Sequence, residues 1–514
     1  HAAVRSFSFQ MKGSRCAVAV PFVVALLALA GAAPGAENPA APLADAVQKG
    51  DRATIGALLN AGGAEELNAA QVDGMTAWHW AAYLDDTETA RALFKAGANA
   101  KAANRYEVTP LSFACANGNN EIVEMLLEAG ADPNTTLRGG ETALMTAART
   151  GSASVVKALL ARGANVNAQE RRGQTAIMWA AAEGNTEVVK LLIQAGADFT
   201  TPLDSGFSPL FFAARDGRIE TVRALLAAGA DVNSAMQPRK SAAKGPRPGT
   251  SALLLAVENG HFELAIELLK AGADPNDQRS GFTPLHALTW VRKPNRGEDD
   301  GDPAPFEAGH LSSLQFAQKL INAGADVNAQ LKSGKGGPGL FNKKGVTPFM
   351  MAAATADATF MRALVEWGAD PSMTNVDGCT PLIVAAGVGI GSAAANETAG
   401  TEPEVIEAAE LLLELGANVN AVDKNGETAM HGAAYKNLPK VVEFLAAHGA
   451  KVDLWNTKNK YGWTPLKIAE GYRPGNFKPS AETIKAIERV MRAAGVEPPD
   501  AATAATTEAS KAVQ

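Results

Sequence analysis

The residues best suited to chemistry stand together in the stretch TAWHWAAYLDD, at Thr76–Asp86. His79 lies between Trp78 and Trp80, and a pair of aspartates closes the stretch. Histidine and carboxylate side chains are common general acids and bases in enzymes. The stretch therefore has two interpretations, as part of an active site or as one copy of a repeated structural unit.

No catalytic or metal-binding motif was found elsewhere in the chain. The sequence lacks the H-E-x-x-H, C-x-x-C and G-x-x-x-x-G-K-[ST] patterns and an EF-hand loop, and its seven histidines are scattered. DKNGE at 423–427 lacks calcium-loop spacing and is interpreted as a turn. GIGSAA at 389–394 does not follow a strand, which argues against a nucleotide site. We therefore predict no catalytic residues, no metal site and no cofactor.

The composition is that of a folded chain with a mildly acidic balance. Of its 514 residues 46% are hydrophobic and 20% are charged, and the formal net charge is −7. Affinity for nucleic acid depends on Lys and Arg against phosphates. The balance therefore argues against a nucleic-acid partner.

The N-terminal segment has the layout of a secretory signal peptide. Basic residues precede an apolar run over 17–30, which is too short for a good membrane span, and small residues follow it. We predict cleavage near Ala32, so that 1–32 holds upstream residues and the signal peptide, and 33–42 is a linker. The mature protein is predicted to be periplasmic or secreted, from a bacterium, with no stable membrane span after signal removal.

A seven-residue segment of the type TPLHxAA recurs along the chain. Its copies begin at Thr76, Thr109, Thr142, Thr175, Ser208, Ser251, Thr283, Thr347, Thr380, Thr428 and Thr464. The first four spacings are each 33 residues, and the long later ones are interpreted as the same period with an insertion. An apolar segment of helical periodicity follows each copy and ends at a glycine. The unit is predicted to be helix, turn, helix and loop, with Thr or Ser as N-cap and Gly as the C-terminal stop.

This pattern resembles the ankyrin-repeat family over residues 43–497. The resemblance implies an all-α, helix-turn-helix solenoid of about twelve repeats with short hairpin loops, since two short helices cannot bury their apolar faces alone. The array is predicted to carry insertions at 234–249, 291–310, 331–346 and 387–403. Residues 498–514 are predicted to form a disordered tail.

The resemblance also gives His79 a structural role, as the motif histidine that hydrogen-bonds on the loop side. This histidine recurs only as His286 and His431, and Ser, Met, Phe, Leu, Ile or Lys replaces it in other copies. The loop-bridging hydrogen bonds of the family are expected to be weaker in those copies.

The residue that follows the motif-histidine position is aromatic in four of the first five copies. These residues are Trp80, Phe113, Trp179 and Phe212. In the ankyrin family this row borders the concave groove and also packs adjacent repeats. Two interpretations remain open, packing between repeats or an aromatic strip that holds a partner, because aromatic side chains are favoured binding anchors.

Basic residues stand in the hairpin loops that precede the copies. They are Arg105, Arg138, Arg171, Arg172, Arg239, Lys240, Lys244, Arg247, Arg279, Lys343 and Lys344. The expanded loops 234–249 and 331–346 each hold four basic residues and no acid. Such a row could steer an acidic partner, or it could consist of solvated turn residues without a binding role.

From the resemblance we predict a scaffold or accessory protein of the bacterial cell envelope, not an enzyme. It would bind a protein partner through the groove and the basic hairpin loops. Two alternatives remain, a secreted effector that engages host proteins and an enzyme with a site in the insertions at 291–310 and 387–403. The oligomeric state is left open.

Overall fold

The computed structural model describes residues 41–239, 247–293, 309–334, 342–388, 400–472 and 479–499. The predicted signal peptide, nearly all of the linker and of the tail, and parts of all four predicted insertions lie outside these ranges. The chain divides into two compact units. Unit 1 extends to Asp231 and includes 238–240, and unit 2 comprises 232–237 and the chain from Ser241 onward.

The described part of unit 1 contains six helix pairs and one extra helical turn. The helices are α1 (Pro42–Lys49), α2 (Arg52–Ala61), the extra turn α3 (Ala64–Leu67), α4 (Ala77–Tyr83), α5 (Thr87–Lys95), α6 (Pro110–Asn117), α7 (Asn120–Glu128), α8 (Ala143–Thr150), α9 (Ala153–Ala161), α10 (Ala176–Glu183), α11 (Thr186–Gln194), α12 (Pro209–Arg215) and α13 (Ile219–Ala227). The first helix of each pair packs on the first helices of its neighbours, as α6 does between α4 and α8.

Unit 2 repeats this plan with six further pairs and one extra turn. Its helices are α14 (Ala252–Glu258), α15 (Phe262–Lys270), α16 (Pro284–Arg292), α17 (Ser313–Asn322), α18 (Pro348–Ala354), α19 (Ala358–Glu366), α20 (Pro381–Ala386), α21 (Glu402–Glu414), α22 (Ala429–Tyr435), α23 (Pro439–Ala447), the extra turn α24 (Val452–Trp455), α25 (Pro465–Ala469) and α26 (Ala481–Ala493). The described residues thus hold twelve pairs, in agreement with the predicted repeat number.

The all-α prediction is confirmed. The described ranges contain no strand, only two isolated bridges, which join Thr136 to Thr142 and Ala235 to Ser251. No helix among the residues that the structure describes is both long enough and apolar enough to cross a bilayer.

The first helix of each pair from α4 onward begins directly after the Thr or Ser predicted to cap it. Thr142 Oγ1, for example, accepts a hydrogen bond from the Met145 N–H at 3.1 Å. In the second helices the apolar face is fully buried, as at Val123 and Leu126 of α7. These helices are too short to be stable alone in water, so their burial against neighbouring pairs is what stabilises them.

An asparagine in the loop after the second helix joins successive repeats, an arrangement that we call the asparagine clamp. Asn167 Nδ2 donates to the Gly196 carbonyl oxygen at 3.1 Å, and its Oδ1 accepts from the Asp198 N–H at 2.8 Å. The same two bonds form at Asn134, Asn233, Asn276, Asn328 and Asn420. Both polar ends of one amide thus fix the distance between adjacent loops.

Removal of one clamp should measurably weaken the stack. Asn167→Ala removes both inter-repeat hydrogen bonds, and we expect the free energy of unfolding to fall by about 1 kcal/mol. The measurement is urea unfolding of the full chain, followed by far-UV circular dichroism. The control is Asn120→Ala, whose amide bonds Glu124 on its own helix and no other described residue, and which should cost under ~0.5 kcal/mol. Equal losses in the two variants would contradict the clamp.

Candidate interaction surface

The three motif histidines bridge neighbouring repeats. His79 Nδ1 accepts a hydrogen bond from the Thr76 N–H at 3.1 Å, and its Nε2 lies 3.0 Å from the Val108 carbonyl oxygen. A carbonyl oxygen can only accept, so Nε2 carries the proton. His431 is held in the same way, whereas His286 Nδ1 accepts from the Thr283 hydroxyl at 2.7 Å. The Nε2 atoms of His286 and His431 lie 3.1 and 3.2 Å from a carbonyl oxygen in the next loop. The predicted loop-bridging role is therefore observed at all three positions.

The aspartates that follow His79 also have structural partners. Asp86 caps the second helix α5 by accepting from the Thr89 N–H at 3.1 Å, and it pairs with Arg52 at 2.9 Å. Asp85 accepts from Asn119 Nδ2 at 2.7 Å. Because Asp86 caps a second helix and Asp85 bonds the cap residue of the next second helix, TAWHWAAYLDD is one copy of the repeat.

Trp80 is half-buried and lies on the exposed side of α4, the first helix of its pair. Its Nε1–H donates to Gln71 Oε1 at 2.8 Å. Its ring meets the edge of Tyr83 at 5.7 Å between centroids, and Tyr83 meets Phe113 of the next repeat at 5.4 Å. The aromatic contacts therefore continue from one repeat to the next in this part of unit 1.

Trp179 is also half-buried, and its environment is more polar. The Arg149 guanidinium lies 5.1 Å from the centre of the indole ring, and Arg149 also lies 3.5 Å from the Glu141 carboxylate. The Trp179 Nε1 atom is buried and has no hydrogen-bond partner among the described residues. A buried donor without an acceptor is costly, and because this N–H is covered by its neighbours, only the exposed part of the indole ring can contact another molecule.

The other two members of the predicted aromatic column are buried. Phe113 is 4% exposed and Phe212 is 7% exposed. Phe113 contacts Tyr83 across the repeat boundary, and the Arg215 guanidinium lies 5.3 Å from the centre of the Phe212 ring. Their burial favours the packing interpretation for these two residues and leaves the tryptophans as the accessible members.

A second row of half-exposed residues, which the sequence analysis missed, lies three positions beyond the aromatic column. Its aromatic and charged members are Tyr83, Arg149, Arg215, Glu258, Trp290 and Tyr435. Residues three apart share one side of a helix, so helical periodicity could have revealed this row. Within each unit, we call the members of the column and of this row together the first-helix face of that unit.

The hairpin cations that the structure describes are all exposed. They are Arg105, Arg138, Arg171, Arg172, Arg239, Arg247, Arg279, Lys343 and Lys344. Lys240 and Lys244 lie outside the described residues.

Several of these cations are engaged within the array. Arg105 and Arg279 each donate to a carbonyl oxygen of the preceding loop, at 2.6 and 2.7 Å. Arg239 and Arg279 pair with Asp204 and Asp277, at 3.0 and 2.8 Å. These arginines brace one loop against another, whereas Arg138 and Arg172 form no ion pair with a described residue. The basic row therefore combines structural and available charges.

Unit 2 also buries an ionisable group beside the first-helix face. Glu427 is 3% exposed, and its Oε1 accepts from the Tyr435 hydroxyl at 3.1 Å and from Asn459 Nδ2 at 2.9 Å. Burial raises the pKa of Glu427 to about 7, and the nearby Asp423 charge acts in the same direction. The hydrogen bonds from Tyr435 and Asn459 oppose this rise without cancelling it.

Comparison with protein families agrees with this geometry. The family model described as ankyrin repeats (3 copies) matches 43–137, 103–170, 144–236 and 398–477, which together exceed half of the chain. The protein belongs to the ankyrin-repeat family. A single-repeat ankyrin model matches residues 249–279 as well. Membership of this family indicates a scaffold for protein–protein interaction.

Relatives of this ankyrin array include two notch proteins. Human neurogenic locus notch homolog protein 2 is 34% identical over 161 residues, which are 31% of this chain and 6% of that protein. Mouse neurogenic locus notch homolog protein 1 is 33% identical over 174 residues, 34% of this chain and 6% of that protein. The chain thus matches only a small part of the length of these relatives.

Among solved structures, the human ASB11 ankyrin repeat domain matches with a TM-score of 0.40 and 22% identity. The match covers 51% of this chain and 100% of that one.

The motif histidines should destabilise the ankyrin array in acid. Burial lowers the pKa of His286 to about 4, below the value near 6.5 of an unfolded chain. Between these values only the unfolded chain binds the proton, so the free energy of unfolding falls as pH is lowered. One histidine accounts for about 2 kcal/mol by pH 5. His286→Gln should lose that much less stability between pH 7 and pH 5 in urea unfolding.

The control is His448→Gln, at an exposed position, which should keep the pH dependence of the parent. If His286→Gln also keeps it, the buried neutral imidazole is not the source of the acid sensitivity.

Glu427 should act in the opposite sense. Its folded pKa of about 7 lies above the ordinary value of 4.5, so its contribution to stability is complete below pH 4.5 and is lost as pH rises through 7. Glu427→Gln should therefore gain about 2 kcal/mol relative to the parent between pH 5 and pH 8. Urea unfolding at the two pH values measures this difference. The exposed Glu128→Gln should show none, and a similar gain there would refute the assignment.

Proposed function

We propose that this ankyrin array is a scaffold or accessory protein of the bacterial cell envelope. It binds a protein partner through the first-helix face and the basic hairpin loops. The partner's surface is acidic where it meets these loops. It catalyses no reaction. The partner-binding role deepens the family assignment, and the envelope location depends on the signal-peptide pattern of 1–32.

The environment of Trp179 is the main support for the proposed binding face. Its indole is half-exposed and lies beside the Arg149 guanidinium. Tryptophan and arginine are enriched among residues that dominate binding energy. A partner's side chain would cover the exposed part of this ring beside the Arg149 guanidinium.

The hairpin charges support an acidic contact surface on the partner. Arg138 and Arg172 are exposed and form no ion pair with described residues. Arg172 stands in the hairpin that directly precedes the Trp179 helix, and Arg138 stands in the hairpin one repeat earlier. Exposed charges of one sign accelerate encounter with the opposite sign more than they add to affinity.

Affinity capture of the mature protein from its own cell envelope tests the binding face. We expect Trp80→Ala combined with Trp179→Ala to abolish capture of a specific partner while far-UV circular dichroism is unchanged, because both accessible anchors are lost. Trp367→Ala is the matched control, since Trp367 follows the second helix α19, and it should retain the partner. Unaltered capture, or a collapsed fold, would assign the column to packing between repeats.

Two further readouts of the same experiment separate the remaining parts of the proposal. Capture should weaken as salt is raised, because screening reduces the attraction between exposed charges, and salt-independent capture argues against the loops. Cell fractionation should find the protein in the envelope, whereas recovery only from the medium would favour a secreted effector.

A further inference from the structure

In unit 2, Arg247 and Lys343, one from each of the two expanded basic hairpins, lie over the same pair of aromatic rings. The Arg247 guanidinium, from the first expanded hairpin, lies 5.3 Å from the centre of the Phe282 ring and 5.6 Å from that of Trp290. Lys343 Nζ, from the second, lies 5.4 Å from the Phe282 ring. Phe282 and Trp290 meet edge to face at 5.1 Å. We call these four residues, with Glu258, the ring–cation cluster.

The bases of both hairpins are closed by backbone hydrogen bonds. The Met236 N–H donates to the Thr250 carbonyl oxygen at 2.9 Å, and the Gly249 N–H donates back to Met236 at 2.8 Å. The second hairpin has the same two bonds, between Leu331 and Val346 at 3.0 Å and from Gly345 to Leu331 at 2.8 Å. Arg247 and Lys343 stand next to these closures, so their positions above the rings are set by the fold.

Gly249 adds a steric constraint on the first hairpin. It has a φ of 84°, and a Cβ there would lie 2.2 Å from the Arg279 carbonyl oxygen of the next loop. The hairpin backbone therefore packs directly on the loop that contains Arg279. Phe282 lies three residues after Arg279, so this packing brings Arg247 close to the Phe282 ring.

The charge of the cluster is unbalanced. Glu258 is its one carboxylate and is ion-paired with Arg247. Lys343 forms no ion pair with a described residue, and partial desolvation of its ammonium group together with the Arg247 charge lowers its pKa. In unit 1 the two guanidiniums that lie on rings each have a carboxylate, Arg149 with Glu141 and Arg215 with Asp216. The cluster has two cations for one carboxylate, which leaves an excess positive charge beside apolar surface.

We propose that the ring–cation cluster binds an acidic peptide segment in which a carboxylate side chain alternates with apolar ones. The carboxylate lies between Arg247 and Lys343 and relieves their mutual repulsion. The neighbouring apolar side chain covers the half-exposed edges of Phe282 and Trp290. This inference rests on the proposed function, because it identifies the chemistry of the partner at one part of the binding surface.

The test uses the full mature chain and two fluorescein-labelled nonapeptides, one alternating glutamate with leucine and the other glutamine with leucine. Fluorescence anisotropy measures their dissociation constants. We expect the glutamate peptide to bind roughly ten-fold more tightly than the glutamine peptide, in line with the cost of losing one charge partner. Arg247→Gln combined with Lys343→Gln should remove that difference.

Two controls keep the result interpretable. Lys319→Gln removes an exposed charge of the same unit on the second helix α17, outside the proposed binding surface, and should change the affinity less than two-fold. Arg247→Lys combined with Lys343→Arg keeps both charges and should retain most of the preference for glutamate. If the two side chains had only a structural role, this exchange would not be expected to preserve the preference.

Three outcomes would overturn the inference. These are equal binding of the two peptides, equal effects of the double variant and Lys319→Gln, and displacement of the glutamate peptide by an equal concentration of single-stranded DNA, which would indicate a general polyanion site. None of these outcomes changes the result expected from the capture experiment with the Trp80 and Trp179 variants. A partner still captured through those residues would leave the proposed function intact.

Discussion

The burial of apolar surface between neighbouring repeats is the interaction on which this structure depends. Most of its helices are seven to ten residues long, too short to be stable in water without tertiary contacts. Val156 and Val189, on successive second helices, are completely buried because the stack covers both sides of each pair. Hydrogen bonds of the histidines and asparagines then set the spacing and angle between layers that are already in contact.

The sequence contains strong local signals for this framework. A capping Thr or Ser, a proline or alanine after it and a glycine after the second helix act within a few residues, and the structure confirms the helix starts that they predict. His79 was assigned correctly because its contacts follow from its place in the repeat. Local sequence signals do not predict whether Phe113 and Trp179 are buried or accessible, although the two residues occupy equivalent positions in their repeats. One is covered by the Tyr83 ring and the other lies beside Arg149, and those neighbours come from other repeats.

The same limit applies to the hairpin charges. The net charge of a loop indicates how strongly the loop attracts an acidic molecule. It does not show which guanidinium groups are already hydrogen-bonded or ion-paired within the protein. Arg105 and Arg138 look alike in sequence, yet Arg105 donates to the Val72 carbonyl oxygen and Arg138 has no ion pair with a described residue. Arg247 and Lys343 are nearly a hundred positions apart, and only the folded repeats place both on Phe282.

The asparagine clamp has a consequence for how such a protein can change over evolutionary time. It joins residues 29 apart in the sequence at Asn134 and 48 apart at Asn276, with bond lengths of 3.1 and 2.8 Å. Extra chain between two clamped loops adds little to the entropy of closing them, since that cost grows only with the logarithm of loop length. New segments can therefore be inserted between helices while the repeats keep their register. The framework conserves its geometry, and the inserted segments are free to diverge.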